Sequence, residues 1–142
     1  MEISVSRNKA IVPAQYSPIY KVLVMISFLE YSCFRKIATL EMLSFALWAM
    51  QESSRYHYIM DFSENPDNPL TAWNMDDDIY KIITMAMKSG LMMEKNGKYF
   101  VTSEGSQLVE SQKNDILIIK YLDVDKKLTQ RMFKQRKIIL DL

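Results

Sequence analysis

The run from Asp76 to Glu110, DDDIYKIITMAMKSGLMMEKNGKYFVTSEGSQLVE, limits what this chain can fold into more than any other stretch. Asp76, Asp77 and Asp78 supply candidate N-caps and negative charge where a helix N-terminus favours both. Ile79, Ile82, Ile83, Ala86 and Met87 then recur at helical spacing and predict a helix with one buried face, Met87 included. Gly90 ends that helix, because a left-handed residue closes the last turn and glycine has no Cβ to obstruct it. Leu91 to Glu94 is a strand candidate. Asn96-Gly97 is a hairpin signal, since both central residues of a type I′ turn need positive φ. Lys98 to Thr102, rich in aromatic and β-branched residues, reads as the returning strand. Thr102 or Ser103 caps a further helix carrying Leu108 and Val109. The three glycines of the chain, Gly90, Gly97 and Gly105, all fall at punctuation points of this unit. Helix, strand, tight turn, strand, helix is the order of a winged helix-turn-helix. The expected fold class is mainly α with a small β-hairpin, a winged helix-turn-helix with a C-terminal helical extension.

The rest of the chain is read around that unit. Residues 1–16 show no sustained period and form an N-terminal arm, with Pro13 and Pro18 as breaks. Ser17-Pro18 reads as the cap and first position of a helix reaching Tyr31. Ile19, Val22, Leu23, Val24, Met25, Ile26, Phe28 and Leu29 make it apolar on nearly all sides, so it is either a central core helix or a helix that meets another chain. Phe34 to Ala38 is a short link or an edge strand. Thr39 caps the next helix, whose stripe is Leu40, Leu43, Leu47 and Met50. Gln51 to Phe62 reads as a third helix, and Ser63 to Thr71, with Pro66 and Pro69, as a loop. Asn114 to Tyr121 looks helical, and Thr129 caps a last helix. The expected division is residues 17–112 as a winged-helix domain and residues 113–142 as a C-terminal helical extension.

Composition excludes several classes. A chain of 142 residues is long enough for one domain with a real core, and 49% apolar residues argue against disorder. A formal net charge of +1 demands neither nucleic acid nor an acidic substrate. The apolar run Val22 to Leu29 is too short to span a bilayer. A single cysteine, Cys33, and no secretory signal make the cytosol the default compartment. His57, the one histidine, has no second His or Cys at metal spacing and reads as a surface or half-buried structural residue. Cys33 reads as a small core residue. Three consecutive helical aspartates point about 100° apart and cannot converge on one ion, so capping outweighs a magnesium site. No glycine is left for a phosphate loop. The expectation is therefore no enzyme, no cofactor and no metal.

Partners remain. In winged helices the helix before the wing enters the major groove N-terminus first, and each phosphate contact needs a cation. Residues 60–80 hold six acids, Asp61, Glu64, Asp67, Asp76, Asp77 and Asp78, and no Lys or Arg. Candidate nucleic-acid contacts are Lys95 and Lys98 on the hairpin and Lys126 and Lys127 in the basic C-terminal stretch. Candidate partner-binding residues are Met132, Phe133, Ile139 and Leu140 beside Arg131 and Lys134, an apolar strip edged by cations that suits an acidic, partly apolar groove. Met85, Met87, Met92 and Met93 bunch near the hairpin, where methionine suits an adaptable surface as well as a core.

The helices IYKVLVMISFLE and TLEMLSFALWAM, the run WNMDDDIYKIITMAMKSGLM, the segment NGKYFVTSEGSQLVE and the closing KKLTQRMFKQ together resemble a known pattern. It is that of the small middle subunit of bacterial three-component ABC-ATPase systems, the group that includes Lamassu-type anti-phage defence. Where such relatives place an aspartate-proline before the wing helix, this chain has Met75-Asp76-Asp77. The resemblance implies a non-catalytic accessory subunit that holds a coiled-coil ABC ATPase, related to chromosome-maintenance proteins, together with an effector such as a nuclease. The other function class is a winged-helix DNA-binding transcriptional regulator.

Overall fold

The computed structural model describes residues 17–58, 60, 75–115, 119–127 and 129–130. The N-terminal arm, the loop of residues 63–71 and the final strip with Arg131, Met132, Phe133, Lys134, Ile139 and Leu140 lie outside the described residues. In chain order the elements are α1 (Pro18–Tyr31), a 3₁₀ turn (Phe34–Lys36), β1 (Ile37–Ala38), α2 (Leu40–Met50) and a second 3₁₀ turn (Ser53–Arg55). They continue with α3 (Ile79–Lys88), β2 (Met92–Lys95), β3 (Lys98–Val101), α4 (Ser103–Ser111) and α5 (Ile119–Leu122). The described chain is mainly helical, with one small antiparallel sheet of order β1-β3-β2.

Ser17 and Pro18 start α1 as their chemistry dictates: the Ser17 hydroxyl accepts from the Tyr20 amide at 3.1 Å, and Pro18 occupies the first turn, where no amide partner is needed. Val22 to Leu29 are all buried, because α1 packs against α2, α3, α4, α5 and β3 at once. Of the two readings of this all-apolar helix, the core helix is the one observed. Its apolar sides are covered by its own chain, and among its large apolar residues only Ile19, at its N-terminal end, is exposed.

α2 begins at Thr39, whose hydroxyl accepts from the Met42 amide, and stops at Met50. The segment that follows is not one helix from Gln51. Glu52 takes an extended conformation and breaks the run. Arg55 then folds back, its guanidinium donating to the Trp48 carbonyl at 3.2 Å, pairing with Glu52 at 2.6 Å and lying over the Trp48 ring.

α3 buries Ile79, Ile82, Ile83 and Ala86, but Met87 is exposed, which corrects the expectation that it belongs to the core. At about 100° per residue the four buried positions span a narrow arc, and Met87 and Met85 fall on its two rims. The helix ends in a Schellman motif: the Gly90 amide donates to Met87 and the Leu91 amide to Ala86, with Gly90 at φ 75°. Asn96 and Gly97 turn the hairpin at φ 55° and 77°, the left-handed pair a type I′ turn requires. Thr102 is the cap of α4. Its hydroxyl accepts from the Gly105 amide at 3.0 Å and donates to the Gly90 carbonyl at 2.6 Å, which fastens α4 to the end of α3.

The entry to β1 is unusual. Arg35 and Lys36, neither of them glycine, both have left-handed backbones at φ 58° and 59°. Lys36 is held by an ion pair with Glu30 at 3.1 Å, and Glu30 accepts from the Ser106 hydroxyl at 2.6 Å, so the end of α1, the start of β1 and α4 are tied at one point. Beyond α4, Ile119 and Leu122 are buried, and the Ser32 hydroxyl donates to the Leu122 carbonyl, so this turn belongs to the core around α1. Thr129 is not a helix cap. It is buried inside a helical stretch that starts at Lys126, and the cap is Asp125, whose carboxylate accepts from the Lys127 amide at 2.9 Å. Among the described residues no helix is long and apolar enough to cross a membrane.

Candidate interaction surface

The helical period places Tyr80, Lys81, Thr84 and Lys88 on the outward side of α3, between the rim methionines Met85 and Met87; all six are exposed, Tyr80 at 62%. The Thr84 hydroxyl is turned inward onto the Tyr80 carbonyl, so it offers less to a ligand than its exposure implies. Tyr99 of β3 lies close by. Burial raises its phenol pKa, and the neighbouring Glu94 carboxylate and Tyr80 raise it further.

Strand alternation sorts the sheet into two faces. Met92, Glu94, Tyr99, Val101 and Ala38 share the face toward the helices; Met92 and Ala38 are buried and Tyr99 packs on the core. Ile37, Phe100 and Met93 share the outer face and sit in one cross-strand row, Ile37 opposite Phe100 and Phe100 opposite Met93. Met93 is 49% exposed, and Ile37 and Phe100 are half-buried. One step toward the turn on that face, Lys95 and Lys98 stand directly opposite each other, both exposed. Glu94 faces the other way, its carboxylate accepting from the Gly97 amide at 3.0 Å.

The three aspartates before α3 do not act alike. Asp76 makes a 2.6 Å ion pair with Lys21 of α1 and accepts from the Asp78 amide at 2.8 Å. Asp78 is the N-cap residue, inside the expected trio but without a side-chain cap bond; the carboxylate that accepts from a leading amide is that of Asp76, which also ties α3 to α1, while Asp77 and Asp78 are exposed. Asp77 and Asp78 border a cleft with Trp48, Gln51, Arg55 and Met75. A smaller apolar cleft of about 150 Å³ lies between α1, α3 and α4, floored by Leu23 and Leu91 and flanked by Ile19, Met85 and Leu108.

Lys126 and Lys127 belong to a different element from Lys95 and Lys98. Lys127 is exposed and Lys126 half-buried near Cys33. Burial pushes the Cys33 thiol far above its ordinary range, and the nearby Lys126 charge offsets part of that. His57 is exposed with its ring against Tyr58. Among the described residues no three His, Cys, Asp or Glu side chains gather where a metal could bind. Ile37, Phe100 and Tyr80 carry no motif; the alternation of Lys98-Tyr99-Phe100-Val101 was the one sequence signal that Phe100 and Lys98 share a face. No family model, no curated protein and no solved structure matches this chain.

Proposed function

We propose that this chain is a non-catalytic accessory subunit that bridges a coiled-coil ABC ATPase and an effector, possessing a winged-helix body with a C-terminal helical extension. In this reading it works in the cytoplasm, in an anti-phage defence complex of the Lamassu type. The order α1-β1-α2-α3-β2-β3 and the pairing of β1 with β3 support the winged-helix part, with α3 as the helix before the wing. One observation carries the protein-docking part. The exposed side of α3 presents Tyr80, Met85 and Met87 together with Lys81 and Lys88, is preceded by Asp77 and Asp78, and has no Arg, Asn or Gln for bidentate reading of bases. Methionine and tyrosine suit a protein partner, where they give adaptable contact area.

The second reading, a winged-helix transcriptional regulator, draws on Lys81, Lys88, Lys95 and Lys98 around the same region. The two are separated by co-expressing the full chain with the product of a neighbouring ATPase gene, and by titrating duplex DNA at several salt concentrations. The subunit reading expects a stable complex with the ATPase, and DNA binding only at the non-specific level of roughly 10⁻⁴ to 10⁻⁶ M. Sequence-selective DNA binding by the chain alone, with no ATPase complex, overturns it.

A further inference from the structure

We propose that the outer face of the β1-β3-β2 sheet is a docking site for an acidic, amphipathic segment of a partner protein. This rests on the protein-docking reading above and names the surface and the chemistry of what it takes.

The register carries the argument. Ile37, Phe100 and Met93 form an apolar row across all three strands, and residues in one cross-strand row touch or nearly touch. Met93 is exposed and Ile37 and Phe100 are only half-buried, so the row reaches the surface. The next row on that face is Lys98 opposite Lys95, a like-charge pair in the arrangement that destabilises a sheet. Among the described residues neither lysine has an ion-pair partner, and the nearest acid in sequence, Glu94, is on the other face and occupied by the turn amide. A carboxylate placed between the two ammonium groups would remove their repulsion, and an apolar side chain beside it would cover the row. The face therefore asks for acid and hydrocarbon a few ångströms apart in one ligand. An amphipathic protein segment has both. A nucleic-acid backbone supplies the anion but nothing to cover Phe100 and Met93.

The test uses the full chain and a panel of synthetic helical peptides with Leu and Phe along one face, bordered by Glu, by Gln or by Lys. Binding is followed by anisotropy and by the methyl signals of Ile37 and Met93. The Glu peptide is expected to bind and to move both signals, and the Gln peptide to bind about tenfold more weakly. The doubly substituted chain Lys95→Glu, Lys98→Glu is expected to lose the Glu peptide and gain the Lys peptide. Since both lysines are exposed at the hairpin tip, folding is expected to be retained; Met93→Gln is a second variant, expected to weaken binding without touching charge. Equal binding of all three peptides, no binding of the Glu peptide, or shifts confined to other residues overturns the proposal. So does duplex DNA that moves the same signals and displaces the peptide, or concentration-dependent self-association through this face. Assembly with both the ATPase and the effector that is unaffected by these substitutions sinks this face and leaves the subunit reading standing. Absence of any ATPase complex sinks the subunit reading, and the peptide result still judges the face.

Discussion

Lys21 Nζ lies 2.6 Å from Asp76 Oδ2, with only 12% and 14% of the two side chains exposed. The pair joins the first turns of the central helix α1 to the residue that leads into α3, across more than fifty positions of chain. It fixes where α3 starts and so how Tyr80 and Met87 are presented. An ion pair this sheltered is hard to break from one side, because the remaining charge has little water to turn to. Lys21→Met or Asp76→Ala is expected to destabilise the chain by about 1–3 kcal/mol, below the range for fully buried pairs because some solvent remains. The double substitution should be less harmful than the sum of the two. A double-mutant cycle in denaturant melts measures this, and strictly additive values would show that the pair contributes nothing.

Two glycines are required for different reasons, and substitutions separate them. Gly97 has a left-handed backbone, and a Cβ there would meet nothing within 4 Å. Gly97→Val is therefore expected to destabilise through backbone strain alone, by about 1–3 kcal/mol. Gly105 has no such backbone, but a Cβ on it would run into the Leu91 carbonyl oxygen and come within 2.7 Å of Val101 Cγ2. Gly105→Ala should force α4 away from the hairpin and be at least as damaging. Thermal melts of the two variants test this, and a Gly105→Ala chain as stable as the parent would mean that α4 does not pack this closely.

Cys33 should be chemically silent in the folded protein. It is fully buried and its thiol is held protonated, so neither access nor thiolate is available. Modification by a thiol reagent should proceed only as fast as the chain opens and should accelerate across the unfolding transition. Fast labelling under native conditions would contradict the packing at the end of α1.

Tyr31 makes alkaline stability a readout of the α1–α4 contact. Its phenol is pushed up to about 12, by burial first and then by the hydrogen bond it donates to Glu110 at 2.8 Å. An unfolded tyrosine titrates near about 10, so the folded chain holds the proton more tightly between those values. The stabilisation is complete below the unfolded value and is lost as pH rises through the folded one. The same bond lowers the pKa of the exposed Glu110, whose contribution is present above its unfolded value and lost as pH falls through the depressed one. Tyr31→Phe should lose less stability than the parent across the alkaline window, and its absorbance titration should lack one late phenol. An unchanged alkaline slope would place the shift elsewhere.

Most of the local structure is legible in the sequence. Ser17, Thr39 and Thr102 as caps, Gly90 as terminator and Asn96-Gly97 as turn each act on backbone groups within about four residues, so residue identity and spacing suffice to place them. The misplaced cap at Thr129 shows the limit of that logic. Asp125 offers the same chemistry four positions earlier, and only packing, which buries Thr129, decides between them.

What the sequence determined by itself was the succession of elements: a helix apolar on all sides, a second capped helix, and a helix-hairpin-helix unit punctuated by three glycines. Only the tertiary structure decided that α1 is enclosed by its own chain, that Met87 lies on a rim, that Asp76 belongs to Lys21, and that Ile37, Phe100 and Met93 line up beside two facing lysines. The reason is range. A cap or a turn is satisfied by neighbours in the chain, whereas burial, ion pairing and strand register depend on which distant segments arrive at the same place, and a periodic pattern carries no label naming its partner.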